Sequence, residues 1–253
     1  MKIMSLPLVL LATMLCAVVA MAQSSVDMEL AVPSTLDPKA IVATDRWFTE
    51  YMTHARPLGE TGADLGNFIG GTWGHLLLGA VVWHGGGHIS ADFSRQMGQA
   101  VLTNAVLTGS IKRLVGRRRP DDSTDTSWPS GHTSSTVAAL TVLEAHLDGG
   151  GLKRLPLVAI GATVALSRVQ HDRHWLSDTL AGAALGYACG RAACGEISDE
   201  TLALTSGPVL ALGALVRDAE AHPDRQNQPR PRPMSGSGLP PPASSLTLWQ
   251  TDF

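Results

Sequence analysis

Apolar positions along this chain fall into stretches with helical spacing, separated by glycine- and proline-rich breaks. The spacing predicts helices over residues 70–83, 91–114, 133–147, 155–168, 175–191 and 201–218. Gly85-Gly86-Gly87 and Gly149-Gly150-Gly151 mark clear breaks, and Pro156 suits the first turn of its helix. Upstream, residues 23–40 read as irregular because Pro33 and Pro38 interrupt any helix. Residues 44–53 predict a short helix with Trp47, Phe48 and Tyr51 on its apolar side, followed by a loop marked by Gly59, Gly62 and Gly66. Runs of β-branched or aromatic residues are few, so the expected class is all-α, a helical bundle. Gly182, Gly186 and Gly190 recur every four residues on one helix face, which predicts a close approach by another backbone.

The two ends differ from the body. Lys2, an apolar run from Leu6 to Val19 and the small-x-small site Ala20-Met21-Ala22 before Gln23 predict a secretion signal over residues 1–22. A retained inner-membrane anchor is the alternative. Residues 219–253 are rich in Pro, Ser, Gly and Arg and predict a disordered tail. Between them lie an N-terminal segment, 23–69, and a helical catalytic domain, 70–218. Cys189 and Cys194 sit five apart in a predicted continuous helix, poor geometry for a bridge, so two buried thiols are expected.

Composition narrows the class. The net charge of −3 offers no basic field for nucleic acid. Mean hydropathy is only +0.10, low for a chain made mostly of membrane spans. Segment 70–83 carries His75, 100–111 carries Asn104, 133–147 carries Glu144 and His146, and 155–167 is short. A span needs about 20 apolar residues, so a soluble domain is expected, with a membrane-associated protein as the alternative.

Three polar clusters lie at the edges of the predicted helices. The first runs from Lys112 to Pro120 and includes Arg113, Arg117, Arg118 and Arg119. Lys112 and Arg119 are about two helical turns apart, hence on roughly one side, while some of Arg113, Arg117 and Arg118 are expected to be solvated. The second is Pro129-Ser130-Gly131-His132, at the mouth of a helix. Gly131 permits close backbone approach, the helix amides attract an anion, Ser130 donates a hydroxyl proton and His132 can serve as general acid. The same residues also make an ordinary helix start. The third is Ser167-Arg168, then His174 and Asp178. On a helix those last two share a face, so the carboxylate would fix one imidazole tautomer and free the other nitrogen to attack. Together the three fixed cations Lys112, Arg119 and Arg168 suit a tetrahedral dianion, with two imidazoles serving opposite ends of a displacement. His84 and His88 read as loop residues, and Asp121, Asp122 and Asp125 as a solvated loop.

These residues, Lys112…Arg119-Pro120, Pro129-Ser130-Gly131-His132 and Ser167-Arg168…His174…Asp178, resemble the motifs of the type 2 phosphatidic acid phosphatase superfamily. That group includes bacterial nonspecific acid phosphatases and vanadium haloperoxidases. The resemblance covers about residues 70–195. It implies a helical bundle with the site at one end. It implies His174 as nucleophile, Asp178 as its orienting group and His132 as acid and then base. Lys112, Arg119, Ser130, the Gly131 amide and Arg168 would hold phosphate, with no metal and no cofactor.

The expected function is therefore an exported, periplasmic or secreted phosphatase that cleaves phosphomonoesters through a phosphohistidine. The alternative is a membrane-associated lipid phosphate or lipid pyrophosphate phosphatase; a vanadate-dependent haloperoxidase is a further class on the same cradle. The expected partner is a small phosphorylated substrate or a phospholipid, and no nucleic acid. Oligomeric state is not specified by the sequence.

Overall fold

The computed structural model describes residues 37–72, 74–75, 79, 91–147 and 154–221. The expected signal, the tail from 222, both glycine triplets, His84 and His88 lie outside them. The described residues form helices α1 (Pro38–Ala55), α2 (Gly59–Gly70), α3 (Ala91–Val115), α4 (Gly131–His146), α5 (Arg154–Gln170), α6 (Leu176–Ala193) and α7 (Asp199–Glu220). No strand occurs among them, and the fold is all-α.

The amino-terminal helices correct the sequence reading. Pro38 opens α1 instead of breaking it: it stands at the start of the helix, where its missing N–H costs nothing. Asp37 caps that end, its carboxylate accepting from the Lys39 amide at 2.9 Å. The expected loop at Gly59, Gly62 and Gly66 is instead α2. A Cβ on Gly66 would lie 2.7 Å from the Ser167 Cβ, so glycine there serves packing against α5. The Gln170 side chain ties the two elements, donating to Gly59 O at 2.9 Å and accepting from Leu58 N at 3.2 Å. Gly70 closes α2 and does not open a new helix.

The central pair is α4 against α6. The stripe predicted from glycine spacing faces α4, where a Cβ on Gly182 would sit 2.6 Å from the Ser130 carbonyl oxygen and one on Gly190 would sit 2.5 Å from Thr141 Cβ. At Gly186 the Ser134 carbonyl oxygen is closer still. Around this contact Val142, Leu185, Ala188 and Cys189 are buried with Ile111 and Val115 of α3. Cys189 and Cys194 are free thiols; Cys189 is buried, but Cys194 caps the end of α6 and is only half-buried. Asn104, Thr108 and Ser134 hydrogen-bond to one another at 3.1–3.4 Å between α3 and α4, which satisfies polar groups that burial would otherwise penalise.

Helix α7 closes the bundle. Trp128, 1% exposed, donates its indole N–H to Val209 O at 2.9 Å and packs on Gly213. Arg217 donates to Val115 O at 2.9 Å, satisfying a carbonyl at the end of α3. Among the described helices, α7 is long and apolar enough to cross a membrane by length and composition, an exception to the expectation that no segment reaches a span. Four helix ends converge at one end of the bundle: the carboxyl ends of α3 and α5 and the amino ends of α4 and α6.

Gly186→Ala is expected to destabilise the protein by about 2–3 kcal/mol, because the α4 backbone has no room to yield. Thermal unfolding followed by circular dichroism should show a Tm lower by about 5–10 °C. An unchanged Tm would disprove this packing argument.

Candidate active site

Helix α3 stops at Val115, and Gly116 follows at φ +64°, a left-handed turn that glycine adopts without strain. Lys112 and Arg119 therefore do not share a helix face, as their spacing suggested. Lys112 sits in the last turn of α3, whereas Arg119 lies in the loop 116–130. That loop is pinned by backbone bonds from Arg119 N to Thr124 O (3.0 Å) and from Ser127 N to Arg117 O (2.9 Å). Both cations are buried, and Lys112 donates to Thr126 O at 2.5 Å.

The next element starts at the site. Ser130, fully buried, is the N-cap of α4, its hydroxyl 3.5 Å from the Thr133 amide. Its own amide donates to Asp178 O at 2.9 Å, which stitches the start of α4 to the start of α6. Gly131 is the first residue of α4, at the positive end of the helix dipole. The His132 ring lies against α2: Cβ atoms added to Gly70 and Gly71 would come within 3.3 Å of its Cδ2 and 3.6 Å of its Nε2.

The third stretch closes the arrangement. Arg168 occupies the last turn of α5, and the amides of Arg173 and His174 donate back to its carbonyl at 3.0 and 3.3 Å. That turn returns His174 toward the bundle, 2% exposed. His174 precedes α6 and is not on it, so its contact with Asp178 comes from the turn and not from helical spacing. Nδ1 of His174 lies 3.5 Å from Oδ2 of Asp178. The same Oδ2 accepts from Ser127 Oγ at 2.5 Å and from Trp175 N at 2.8 Å, while Oδ1 accepts from Arg117 at 2.7 Å.

Arg117 is the largest departure from the sequence reading. It is not solvated: its side chain has no exposed surface. It binds Asp178 of α6, Asp45 of α1 at 2.8 Å and Glu220 of α7 at 2.6 Å. The guanidinium also lies over the rings of Trp128 and Trp175, its carbon 5.8 and 5.5 Å from their centroids. Asp45 in turn accepts from the Ser177 amide at 2.8 Å, a free amide at the start of α6. By contrast Arg118 is exposed and pairs with Asp122 at 2.9 Å.

Electrostatics follow from this burial. Burial, reinforced by Lys112 and Arg168, lowers the His174 imidazole to about 3 despite the opposing carboxylate, so the ring is neutral. His132 is likewise held well below the usual histidine range by burial, then by Arg168, His174, His75 and Lys112. Burial alone would raise Asp178, but Arg117, with help from His174 and Ser127, keeps it ionised well below the usual carboxylate range. A buried neutral imidazole backed by an ionised carboxylate, with fixed cations beside it, is equipped to attack an electrophile bearing negative charge. Among the described residues no three His, Cys, Asp or Glu side chains are grouped to hold a metal ion.

Spacing along the chain did not reveal Asn67, whose Oδ1 accepts from Arg168, nor Ser127, Asp45 and Glu220. All come from outside the three clusters. The one available hint was Gly116, which ends the helix and lets Arg117 and Arg119 turn inward while Arg118 faces out.

The chain matches the model of the PAP2 superfamily over residues 94–195. It is 40% identical over 102 residues to a lipid A 1-phosphatase of Porphyromonas gingivalis, covering 38% of this chain and 22% of that one. It is also 40% identical over 90 residues to a decaprenylphosphoryl-5-phosphoribose phosphatase of Mycobacterium tuberculosis, covering 32% of this chain and 48% of that one. The chain thus spans less than half the length of either relative. The crystal structure of Aquifex aeolicus LpxE superposes with a TM-score of 0.51 at 20% identity, over 59% of this chain and 94% of the other, a likeness of fold. All three clusters lie within residues 94–195, the segment that matches the PAP2 superfamily.

Proposed function

We propose that this chain hydrolyses a lipid phosphate monoester at a membrane surface through a phosphohistidine on His174. One observation carries the chemistry: the His174 imidazole is buried and neutral, with Asp178 behind it and Lys112 and Arg168 close enough to shape its titration. In this reading the Nε2 lone pair attacks phosphorus and the bond to the leaving oxygen breaks. His132 protonates that oxygen. Water, deprotonated by His132, then attacks the phosphohistidine, and the P–N bond breaks to release phosphate and restore His174. Lys112, Arg119, Arg168, the Ser130 hydroxyl and the Gly131 amide hold the three phosphate oxygens.

The lipid substrate displaces the soluble acid phosphatase expected from sequence for two reasons. The relatives above are named for lipid-linked phosphates. The outer faces of the bundle are apolar as well: α3 exposes Leu102 and Val106, α5 exposes Leu155 and Val158, and α7 exposes Leu204 and Leu215. Helix α5 carries no charge between Arg154 and Arg168, nor α7 between Glu200 and Arg217.

His132 must be protonated to act as an acid, yet burial, and after it the surrounding cations, keep it neutral in the free protein. A bound dianion offsets those cations and raises its pKa, so the substrate itself installs the acid. Binding then takes up a proton, and affinity is greatest at low pH and falls as pH rises through the pKa of the complex.

Three outcomes are expected. His174→Ala should abolish phosphate release, a loss of at least about 10³-fold, with the circular dichroism spectrum unchanged; substantial turnover in that variant would remove His174 as nucleophile. Tungstate at about pH 7.5, where it is a monomeric tetrahedral dianion and the imidazole still titrates nearby, should bind with proton uptake by calorimetry in two buffers; proton-neutral binding would exclude His132 as the group that responds. Long-chain lipid monophosphates in mixed micelles should be hydrolysed with a kcat/KM at least about tenfold above water-soluble phosphomonoesters; the reverse order would restore the acid phosphatase reading.

A further inference from the structure

Helices α1 and α7 lie outside the matched segment, yet each sends a carboxylate into the site through Arg117. The guanidinium meets Asp45, Asp178 and Glu220 in one buried cluster, its carbon 5.8 and 5.5 Å from the Trp128 and Trp175 ring centroids. A surface arginine placed by chance would not be stripped of water on every side. We infer that Arg117 is a positioning residue: gripped by α1 and α7, it holds the Asp178 carboxylate ionised and oriented so that His174 keeps its proton on Nδ1 and its lone pair on Nε2. This rests on the proposed role of His174.

The geometry is specific about orientation. Arg117 takes Oδ1 of Asp178, and Ser127 and Trp175 N occupy Oδ2, the oxygen that faces His174. The carboxylate therefore cannot rotate without breaking three bonds. Asp45 and Glu220 fix the guanidinium from its other side, and Ser177 bridges Asp45 and Arg117 at 2.5 and 2.7 Å. From the remaining elements the charged and titratable groups facing the pair are His174 itself, Lys112 of α3 and Arg168 of α5, with His132 of α4. All but His174 are held in the phosphate site, so Arg117 is the cation that binds Asp178 directly.

The sign of the effect is fixed by burial. Without Arg117 the dominant influence on Asp178 is desolvation, which favours the neutral acid. A protonated Asp178 no longer selects the Nδ1–H tautomer. Removing Asp45 acts oppositely, since its like charge faces Asp178.

The test uses the full chain with Arg117→Met, Arg117→Lys and Asp45→Asn. Wild type must release phosphate and lose that release on His174→Ala; failure there counts against the proposed function. Given wild-type activity, Arg117→Met should lower kcat about 10²-fold with KM within about twofold, and raise the acid limb of the kcat profile by about one to two pH units. Arg117→Lys should recover part of both. Nitrogen-15 NMR of histidine-labelled protein, read without substrate, should show His174 as the Nδ1–H tautomer in wild type and a mixture in Arg117→Met. If Arg117→Met does not fold, Asp45→Asn decides: the inference requires its acid limb at or below that of wild type and the tautomer retained. A folded Arg117→Met with an unmoved acid limb and an unchanged tautomer, or an Asp45→Asn limb that rises, overturns it.

Discussion

A single guanidinium, buried among three carboxylates, is the interaction on which the rest of this structure depends. Placing Arg117 out of contact with water carries a large desolvation cost, and only close, hydrogen-bonded anions offset it. Breaking such a pair by removing one partner typically costs about 3–5 kcal/mol. That magnitude is a sizeable part of the net stability of a domain of this length. The cluster therefore does two things at once. It joins α1, α6 and α7 to the loop after α3, and it fixes the charge state of the residue behind the imidazole. Stability and chemistry are coupled because they use the same atoms.

The site itself is made from helix ends, and this follows from backbone chemistry. An α-helix leaves amides unpaired at its start and carbonyls at its finish. Here the starts of α4 and α6 face inward together, and Ser130 N bonds to Asp178 O across them. Asp178 and Asp45 each accept from an amide at the start of α6, Trp175 N and Ser177 N. The glycine stripe on α6 lets α4 approach closely enough for that crossing bond to form. A side chain at Gly182 would meet the carbonyl of Ser130 itself, so packing between the two helices and placement of Ser130 are one geometric condition.

Some of this was legible in the sequence, and some was not. The helical body, the glycine contact and the residues of the three clusters could be read because each rests on local spacing or on residue type. The reasons first given for two pairings were nonetheless wrong. Lys112 and Arg119 do not share a helix, since Gly116 ends it; His174 and Asp178 meet through a turn that brings Arg173 and His174 back onto the Arg168 carbonyl. Arg117 was unreadable because the first arginine in a run of three carries no local sign of burial. Its state is set by Asp45, 72 residues before it, and Glu220, 103 residues after. Likewise α2 read as a loop, because glycine spacing cannot distinguish a flexible turn from a helix pressed against Ser167.

The distribution of these long-range partners bears on what the match to the PAP2 superfamily implies. The matched segment 94–195 contains every residue proposed to touch phosphate, yet it lacks Asp45 and Glu220, and it lacks Asn67, which receives Arg168. The groups proposed to react therefore lie in the matched segment, while part of what holds them comes from helices on either side. Such flanking helices can change how firmly Arg117 and Arg168 are held without altering a single motif residue. The position of His132 points the same way: its ring packs against Gly70 and Gly71 and its charge responds to His75, both from the amino-terminal side of the matched segment. In the proposed mechanism, discrimination among leaving groups would then be set where His132 meets that segment, because the departing oxygen would have to pass the ring proposed to protonate it.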